Sequence, residues 1–490
     1  MLVARGIIES FVENRLMIQA QRPLKKDWLF FVILIWLPLM ASAVEPGLFR
    51  IEVRDSENGW PVPLIQLRTV NHQCFVSDNA GVIAIDQPDL FGTEVYFHIL
   101  GHGYEVPADG FGYRGVRITP QVGGTYRLEV QRSNIAKRLG RLTGQGLFAH
   151  SQRFGEYSDW TESPVAGCDS VQMVIYQGRP FWNWGDTLLM HYPLGNFHMT
   201  GAHSTGAPVT THQPPIKPRY EYLLTAQRRP KGVAPIPGEG PTWLTGYAAL
   251  KDQGGIEHLV ALYRKIEPPM TVYETGLCEW NPQTQEFETK RKLWHKSDGA
   301  PEPKLLPVGH PLIVEEEGNR WLYLCDPLPK FRCAATYEAY LDSTAWQTVQ
   351  APASLARVEV GQTVKPHSGS VAWHPYRQRW VTVFMQAFGE PSVFGELWYA
   401  ESDRVQGPWG PAIKVLTHQN YTFYNPRLWG EFTTQDSPIL LFEGTYTEQF
   451  TKGAQATPRY DYNQMLYRID LDDPRLKPAQ TPPIAATSNP

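Results

Sequence analysis

The sequence predicts an all-β protein, a small N-terminal β-sandwich followed by a five-bladed β-propeller. Three observations lead there. The 490 residues include 42 Pro and 41 Gly, which punctuate the chain too often for long helices and suit short strands joined by turns. Between residues 47 and 132 the pattern is a close succession of such strands, beginning with the alternating segment FRIEVRD at 49–55. A strand–turn–strand unit then recurs five times at similar spacing through the rest of the chain, as radial β arrays do.

Residues 1–43 read as an N-terminal extension and signal peptide. Lys25 and Lys26 give a positive flank, Trp28 to Met40 an apolar run, and Ala41-Ser42-Ala43 a small-x-small cleavage site. The run is shorter than the roughly 20 residues a membrane span needs. The expectation is therefore export, to the periplasm, cell surface or medium, with membrane attachment only if the segment stays uncleaved.

Residues 44–132 form the predicted sandwich, with the turn SDNAG (Ser77 to Gly81) between two of its strands. His98 and His102 lie on one of its apolar strands and at that strand's end, and read as packing residues rather than ligands. Residues 133–160 change character. Ile135, Leu139 and Leu142 recur at helical spacing beside the basic Lys137, Arg138 and Arg141, which predicts a helical linker docked between domains.

Residues 161–476 carry the repeat. Its copies start at residues 169, 242, 309, 367 and 425: DSVQMVIYQGRPFWNWGDT, TWLTGYAALKDQGGIEHLVALYRK, GHPLIVEEEGNRWLYLCDP, HSGSVAWHPYRQRWVTVFMQ and NPRLWGEFTTQDSPILLFEGT. Segments such as TVYETGLCEWN (271–281) and GELWYAESD (395–403) supply outer strands, and NQMLYRIDLDD (463–473) completes one sheet and closes the ring. Residues 477–490 read as a disordered tail. A larger β-sandwich is the rival architecture.

A net charge of −4 and the absence of a long basic run exclude a phosphate-tracking nucleic-acid binder. Five scattered cysteines (Cys74, Cys168, Cys278, Cys325, Cys333) without a C-x-x-C exclude a structural zinc site. An exported chain permits disulfides, and Cys325 and Cys333 are the nearest pair in sequence. The histidines His191, His198, His203 and His212 match no standard ligand spacing, so neither a metal nor a cofactor is expected.

In a propeller the first strand of each blade begins at the mouth of the central channel and the second returns to it. The start of one and the end of the other then line a single pocket. Blade one offers Asp169 and Asp186; blade two, Glu239 and Arg264; blade three, His310 and Asp326; blade four, His367 and Gln386; blade five, Asn425, Arg427 and Glu443. Glycosidic-bond hydrolysis needs one carboxyl to protonate the leaving oxygen and a second to activate water or attack the sugar. Neighbouring carboxylates push each other's pKa apart, which keeps one of them protonated. Asp169, Asp186 and Glu443 are the predicted catalytic groups. Glu239, Arg264, His310, His367, Asn425 and Arg427 are the predicted substrate-binding groups. Trp182, Trp184, Trp243 and Tyr424 lie near the same edge, where aromatic faces either stack on sugars or pack between blades.

The sandwich, through PVPLIQLRTV, VSDNAGVIAI and HGYE, resembles the carboxypeptidase-regulatory-like, transthyretin-like module of exported bacterial proteins. The propeller resembles five-bladed glycosidases such as arabinanases and fructan hydrolases. More narrowly, DS-V…WGDT resembles the start of a bacterial propeller family, formerly a domain of unknown function, that includes endo-acting D-arabinofuranases. That resemblance implies a catalytic pair at the aspartate opening blade one and at the "GDT" aspartate, here Asp169 and Asp186. The later blades follow it through hairpin form alone. The sequence thus predicts an exported glycoside hydrolase acting on a polysaccharide with acidic or furanose units. A non-catalytic surface propeller that holds a glycan or a protein, and a polysaccharide lyase, are the alternatives.

Overall fold

The structure is a computed structural model that describes residues 47–144, 149–160, 163–217 and 219–480. The predicted signal segment lies outside the described residues, as do residues 481–490 of the predicted tail. Among the described residues no helix is long and apolar enough to cross a membrane.

The first layer pair is a sandwich of two four-stranded sheets. One holds Val82–Ile85, Phe49–Asp55, Thr125–Arg132 and Tyr104–Glu105 in that order, with the central pair parallel. The other holds Cys74–Val76, Gln66–Thr69, Val95–Leu100 and Gly115–Ile118. Alternation along Phe49–Asp55 sends Ile51 and Val53 inward, where they meet Leu67, Phe97, Leu128 and Val130 in one apolar core.

Five antiparallel four-stranded sheets follow. Blade one comprises Gln172–Tyr176, Arg179–Trp184, Thr200–His203 and Glu221–Tyr222. Blade two comprises Thr242–Lys251, Glu257–Glu267, Thr271–Asn281 and Glu286–His295. Blade three comprises His310–Glu316, Asn319–Cys325, Pro329–Ala334 and Gln347–Thr348. Blade four comprises Pro366–His374, Arg379–Gln386, Leu397–Ser402 and Ile413–Leu416. Blade five comprises Thr422–Leu428, Ile439–Thr447, Asn463–Asp470 and Lys137–Arg141. The first strands of successive blades lie against one another. Each pair of adjacent blades shares one apolar cluster. Val174 and Phe181 meet Leu259 and Tyr263 between blades one and two. Met173, Trp182 and Trp184 meet Leu441 and Leu466 between blades one and five, closing the ring.

Sheets packed face to face around a ring explain why both faces of most blade strands are apolar. They also explain why helical spacing misleads at 137–141. Leu139 is buried, but so are the neighbouring Arg138 and Arg141, because this segment lies between blade five and the sandwich. The predicted linker helix is instead the outer strand of blade five, pairing antiparallel with Asn463–Asp470. A short 3-10 helix at His150–Phe154 follows it. The C-terminal strand joins blade five as its third strand, and the strand that completes this sheet is Lys137–Arg141, from the N-terminal side of the ring. The first part of the predicted tail is also ordered: Pro474–Gln480 forms a 3-10 helix that buries Leu476 and Ala479.

The SDNAG turn does more than reverse the chain. Asp78 accepts from the N–H groups of Ala80 and Val82 and from the backbone and hydroxyl of Ser151. Asn79 pairs with the closing strand as a backbone would, donating to Arg141 O (3.0 Å) and accepting from Arg141 N (2.9 Å). Arg138 is fully buried beside it. Its guanidinium donates to Tyr467 Oη and to the carbonyls of Pro63 and His102 and lies over the rings of Tyr104 and Tyr467. His102 sits in the same interface against Tyr421, where burial lowers its pKa to about 3.

All five cysteines, each among the described residues, are free thiols. Strand geometry keeps apart Cys325 and Cys333, the nearest pair in sequence. Cys333 is opposite Leu322 and Cys325 is opposite Pro329. The two thiols enter different apolar clusters on opposite faces of blade three.

Candidate functional site

The blade-one hairpin turns at Gln177 and Gly178, both with positive φ (49° and 74°), the conformation of a tight two-residue turn. Its strands pair from Tyr176↔Arg179 to Gln172↔Asn183. The ladder then breaks, and resumes where Cys168 pairs with Thr187. Asp169 and Asp186 sit in the break. The Asp169 N–H donates to Asp186 O at 3.2 Å and the Gly185 N–H donates to Asp169 O at 2.8 Å. A Cβ at Gly185 would press on the Asp169 carboxyl, so a larger residue there would have to displace it. Freed from the pleat, both carboxyls line a cleft of about 450 Å³ at the mouth of the central channel, a volume that suits a small ligand or part of a chain.

Each acidic group in the cleft is shifted toward protonation. Burial raises the pKa of Asp169, opposed by hydrogen bonds from Tyr424, Tyr462 and Ser170. The Tyr424 hydroxyl donates to Asp169 Oδ2 at 2.5 Å, and Oδ1 has no hydrogen-bond partner among the described residues. Burial, then the negative charge of Asp169, push Asp186 up to about 6 against the Trp243 indole N–H, which donates to Asp186 Oδ1 at 3.2 Å. Asp326 enters from blade three. Burial raises it to about 6, opposed by Lys330 and by the Gly369 N–H, which donates to Oδ1 at 3.3 Å.

Of the predicted substrate-binding groups, Arg264, His310 and Asn425 line the cleft. Arg264 is held in a bidentate pair with Glu302 (2.9 and 3.2 Å), and Glu302 also accepts from Thr275 Oγ1 at 2.6 Å. Asn425, at φ 49°, donates to Ser170 Oγ at 2.8 Å. His310 forms the waist between this cleft and an apolar lower channel of about 440 Å³. Its pKa falls to about 3 through burial and then the charge of Arg427, so the imidazole is neutral, with Nδ1 unpartnered among the described residues. Ser368 Oγ and Gln172 Oε1, also on the cleft wall, likewise have no partner among the described residues. Buried polar atoms left unpaired are costly, so these atoms are hydrogen-bond positions for a ligand or water.

Four predicted site residues are placed elsewhere. Glu443, expected as a catalytic carboxylate, is completely buried inside blade five, where it accepts from Trp429 Nε1 at 2.7 Å. The second strand of that blade runs on to Thr447, so its mouth end is Gln449 and Phe450, which do line the cleft. Arg427 is one pleat deeper than expected because the register shifts between Tyr424 and Arg427. It lies in the lower channel, paired with Glu431 at 2.5 Å. Glu239 is on the exposed surface, its carbonyl accepting from Tyr273 Oη. His367 is exposed at the rim, its ring 5.1 Å from that of Phe394.

Of the edge aromatics, Trp182 and Trp184 are blade core, whereas Trp243 and Tyr424 touch the two aspartates. The cleft also contains Tyr462, Met270 and Phe450. These come from loops joining second and third strands, whose positions no strand pattern reports.

No protein-family model and no curated protein matches the sequence. Among solved structures, the chain is similar to an exo-1,5-α-L-arabinanase from a bovine ruminal metagenomic library (11% identity, 61% of this chain and 92% of that chain, TM-score 0.34). It is also similar to an α-L-arabinofuranosidase from Podospora anserina in complex with cellotriose (10%, 67% and 94%, 0.35) and to an arabinanase from Bacillus subtilis (10%, 61% and 93%, 0.32).

Proposed function

We propose that the protein is an exported glycoside hydrolase that cleaves a polysaccharide in the mouth cleft, with Asp169 and Asp186 as the reacting carboxyls. The observation that carries this reading is that both groups lie at the break in the blade-one ladder and line one cleft, where burial and then the charge of Asp169 raise the pKa of Asp186. Two carboxyls near enough for the charge of one to raise the pKa of the other do not ionise together freely, so one serves as acid and the other as base. In this reading Asp169, which accepts from the Tyr424 hydroxyl, takes the charge, although burial raises its pKa as well. Asp186, with a single indole donor, keeps its proton up to about pH 6.

In the reaction the glycosidic C–O bond breaks and its electron pair stays on the leaving oxygen, which takes the Asp186 proton. Water adds to the anomeric carbon and gives a proton to Asp169. Proton return from Asp169 to Asp186 through solvent restores the site, so one water is consumed per bond. Asp326 is the third carboxyl of the cleft, in place of Glu443 or Glu239. The neutral His310 and the Glu302-braced Arg264 orient hydroxyls. D-arabinofuranan and other furanose polymers are the first substrates to try, on the strength of the DS-V…WGDT segment.

The test is Asp186→Asn. Turnover of a panel of furanose polysaccharides is expected to fall to background while the thermal midpoint and circular dichroism stay those of the wild type. A folded variant that retains activity overturns the assignment.

A further inference from the structure

An aromatic strip leads out of the cleft over blades four and five. It starts at Tyr424, whose hydroxyl is on Asp169. The Phe450 ring is 6.0 Å from Tyr424, Phe394 is 5.8 Å from Phe450, and Phe388 is 5.6 Å from Phe394. Phe450 is itself part of the cleft wall, so the strip is continuous with the site.

Its outer members are unusual in two ways at once. Phe388 and Phe450 are 74% and 60% exposed, and both hold positive φ values, 53° and 63°. The left-handed region disfavours bulky residues, and an exposed phenylalanine gains nothing from burial. Neither the backbone nor the apolar core accounts for phenylalanine at these two loop positions. Polar groups flank the rings: Gln449 beside Phe450 on the cleft wall, and the Lys452–Glu390 pair (3.0 Å) joining the two loops that carry them. The rings meet edge to face (86° and 83°) or tilted (44°), so each exposed ring offers its own apolar patch, and such patches bordered by hydrogen-bonding groups suit successive pyranose or furanose rings, whose C–H faces pack while their hydroxyls reach the border.

We propose that Phe450, Phe394 and Phe388 form a glycan-binding platform that extends the cleft, so that the ligand is a chain of several sugars running outward over blades four and five. This rests on the glycan-binding part of the function proposed above, and not on catalysis.

The experiment is affinity gel electrophoresis of the full chain in gels containing arabinan, arabinogalactan, a D-arabinan or levan, run beside product analysis on the same polymers. The wild type and Asp186→Asn are expected to be retarded by at least one polymer. Phe388→Ala and Phe450→Ala are each expected to weaken that retardation roughly tenfold, and the double variant further. Phe111→Ala, at a 90% exposed position in the sandwich, is the control and is expected to migrate as wild type. Wild-type retardation in both phenylalanine variants overturns the platform, as does a wild type retarded by none of the four polymers. A wild-type dimer in sedimentation that the two substitutions dissociate also overturns it, by making a second copy the occupant. Retardation without any product release leaves the platform standing and removes the hydrolase reading alone.

Discussion

Glu443→Gln separates the two carboxyl environments of blade five and the channel mouth. Glu443 is fully buried, and its pKa is pushed from 4.5 up to about 7, chiefly by burial and against the Trp429 hydrogen bond and the charge of Arg427. A folded-state pKa above the unfolded value gives stability that is complete below pH 4.5 and is lost as pH rises through about 7. At roughly 1.4 kcal/mol per pH unit, the interval corresponds to about 3 kcal/mol. Glutamine keeps an oxygen to accept the indole N–H and never ionises. In urea unfolding followed by tryptophan fluorescence, the variant is expected within about 0.5 kcal/mol of the wild type at about pH 4.5. At about pH 8.5 it is expected to be more stable by about 3 kcal/mol. Its turnover should stay near wild type, because the side chain does not reach the cleft. A stability difference that does not change with pH refutes the buried placement. Loss of turnover in a folded variant restores Glu443 to the catalytic set.

Tyr424→Phe removes the hydroxyl donor from Asp169. A hydrogen bond to the ionised form lowers a carboxyl's pKa, so its loss moves the Asp169 limb of the pH–rate profile upward by about one unit. Activity at pH 5 is expected to fall more than at pH 7, and an unshifted profile refutes the contact. Asn79→Ala deletes the side chain that pairs with both backbone groups of Arg141. It is expected to cost about 2 kcal/mol, read as a lower urea midpoint, and an unchanged midpoint would show that the closing strand does not depend on the SDNAG turn.

Much of the architecture was legible because strand–turn–strand units repeat their signal. Alternation, paired turns such as Gln177-Gly178 and the recurrence at similar spacing report a blade whether or not its partners are known. The two aspartates were legible for the same reason, since they mark the open end of a hairpin whose length the pattern defines. Sequence periodicity fails where a strand is buried on both faces. Lys137–Arg141 buries two arginines as well as Leu139, so polar and apolar residues no longer mark two faces, the spacing of Ile135, Leu139 and Leu142 fitted a helix, and its place beside Asn463–Asp470 depends on a pairing across more than three hundred residues. Register defeats the same reasoning at blade five. One bulge after Tyr424 and a strand that continues to Thr447 bury Glu443 and Arg427 and bring Gln449 and Phe450 to the mouth instead.

The sequence by itself determined the class of fold, the repeat and the position of Asp169 and Asp186 at the open end of the first hairpin, because each is written in local spacing. Only the tertiary structure decided which third carboxyl joins them, which strand closes the ring, and that two exposed phenylalanines continue the cleft. Those depend on which residues distant in the chain meet at one end of a channel, and local spacing carries no record of that.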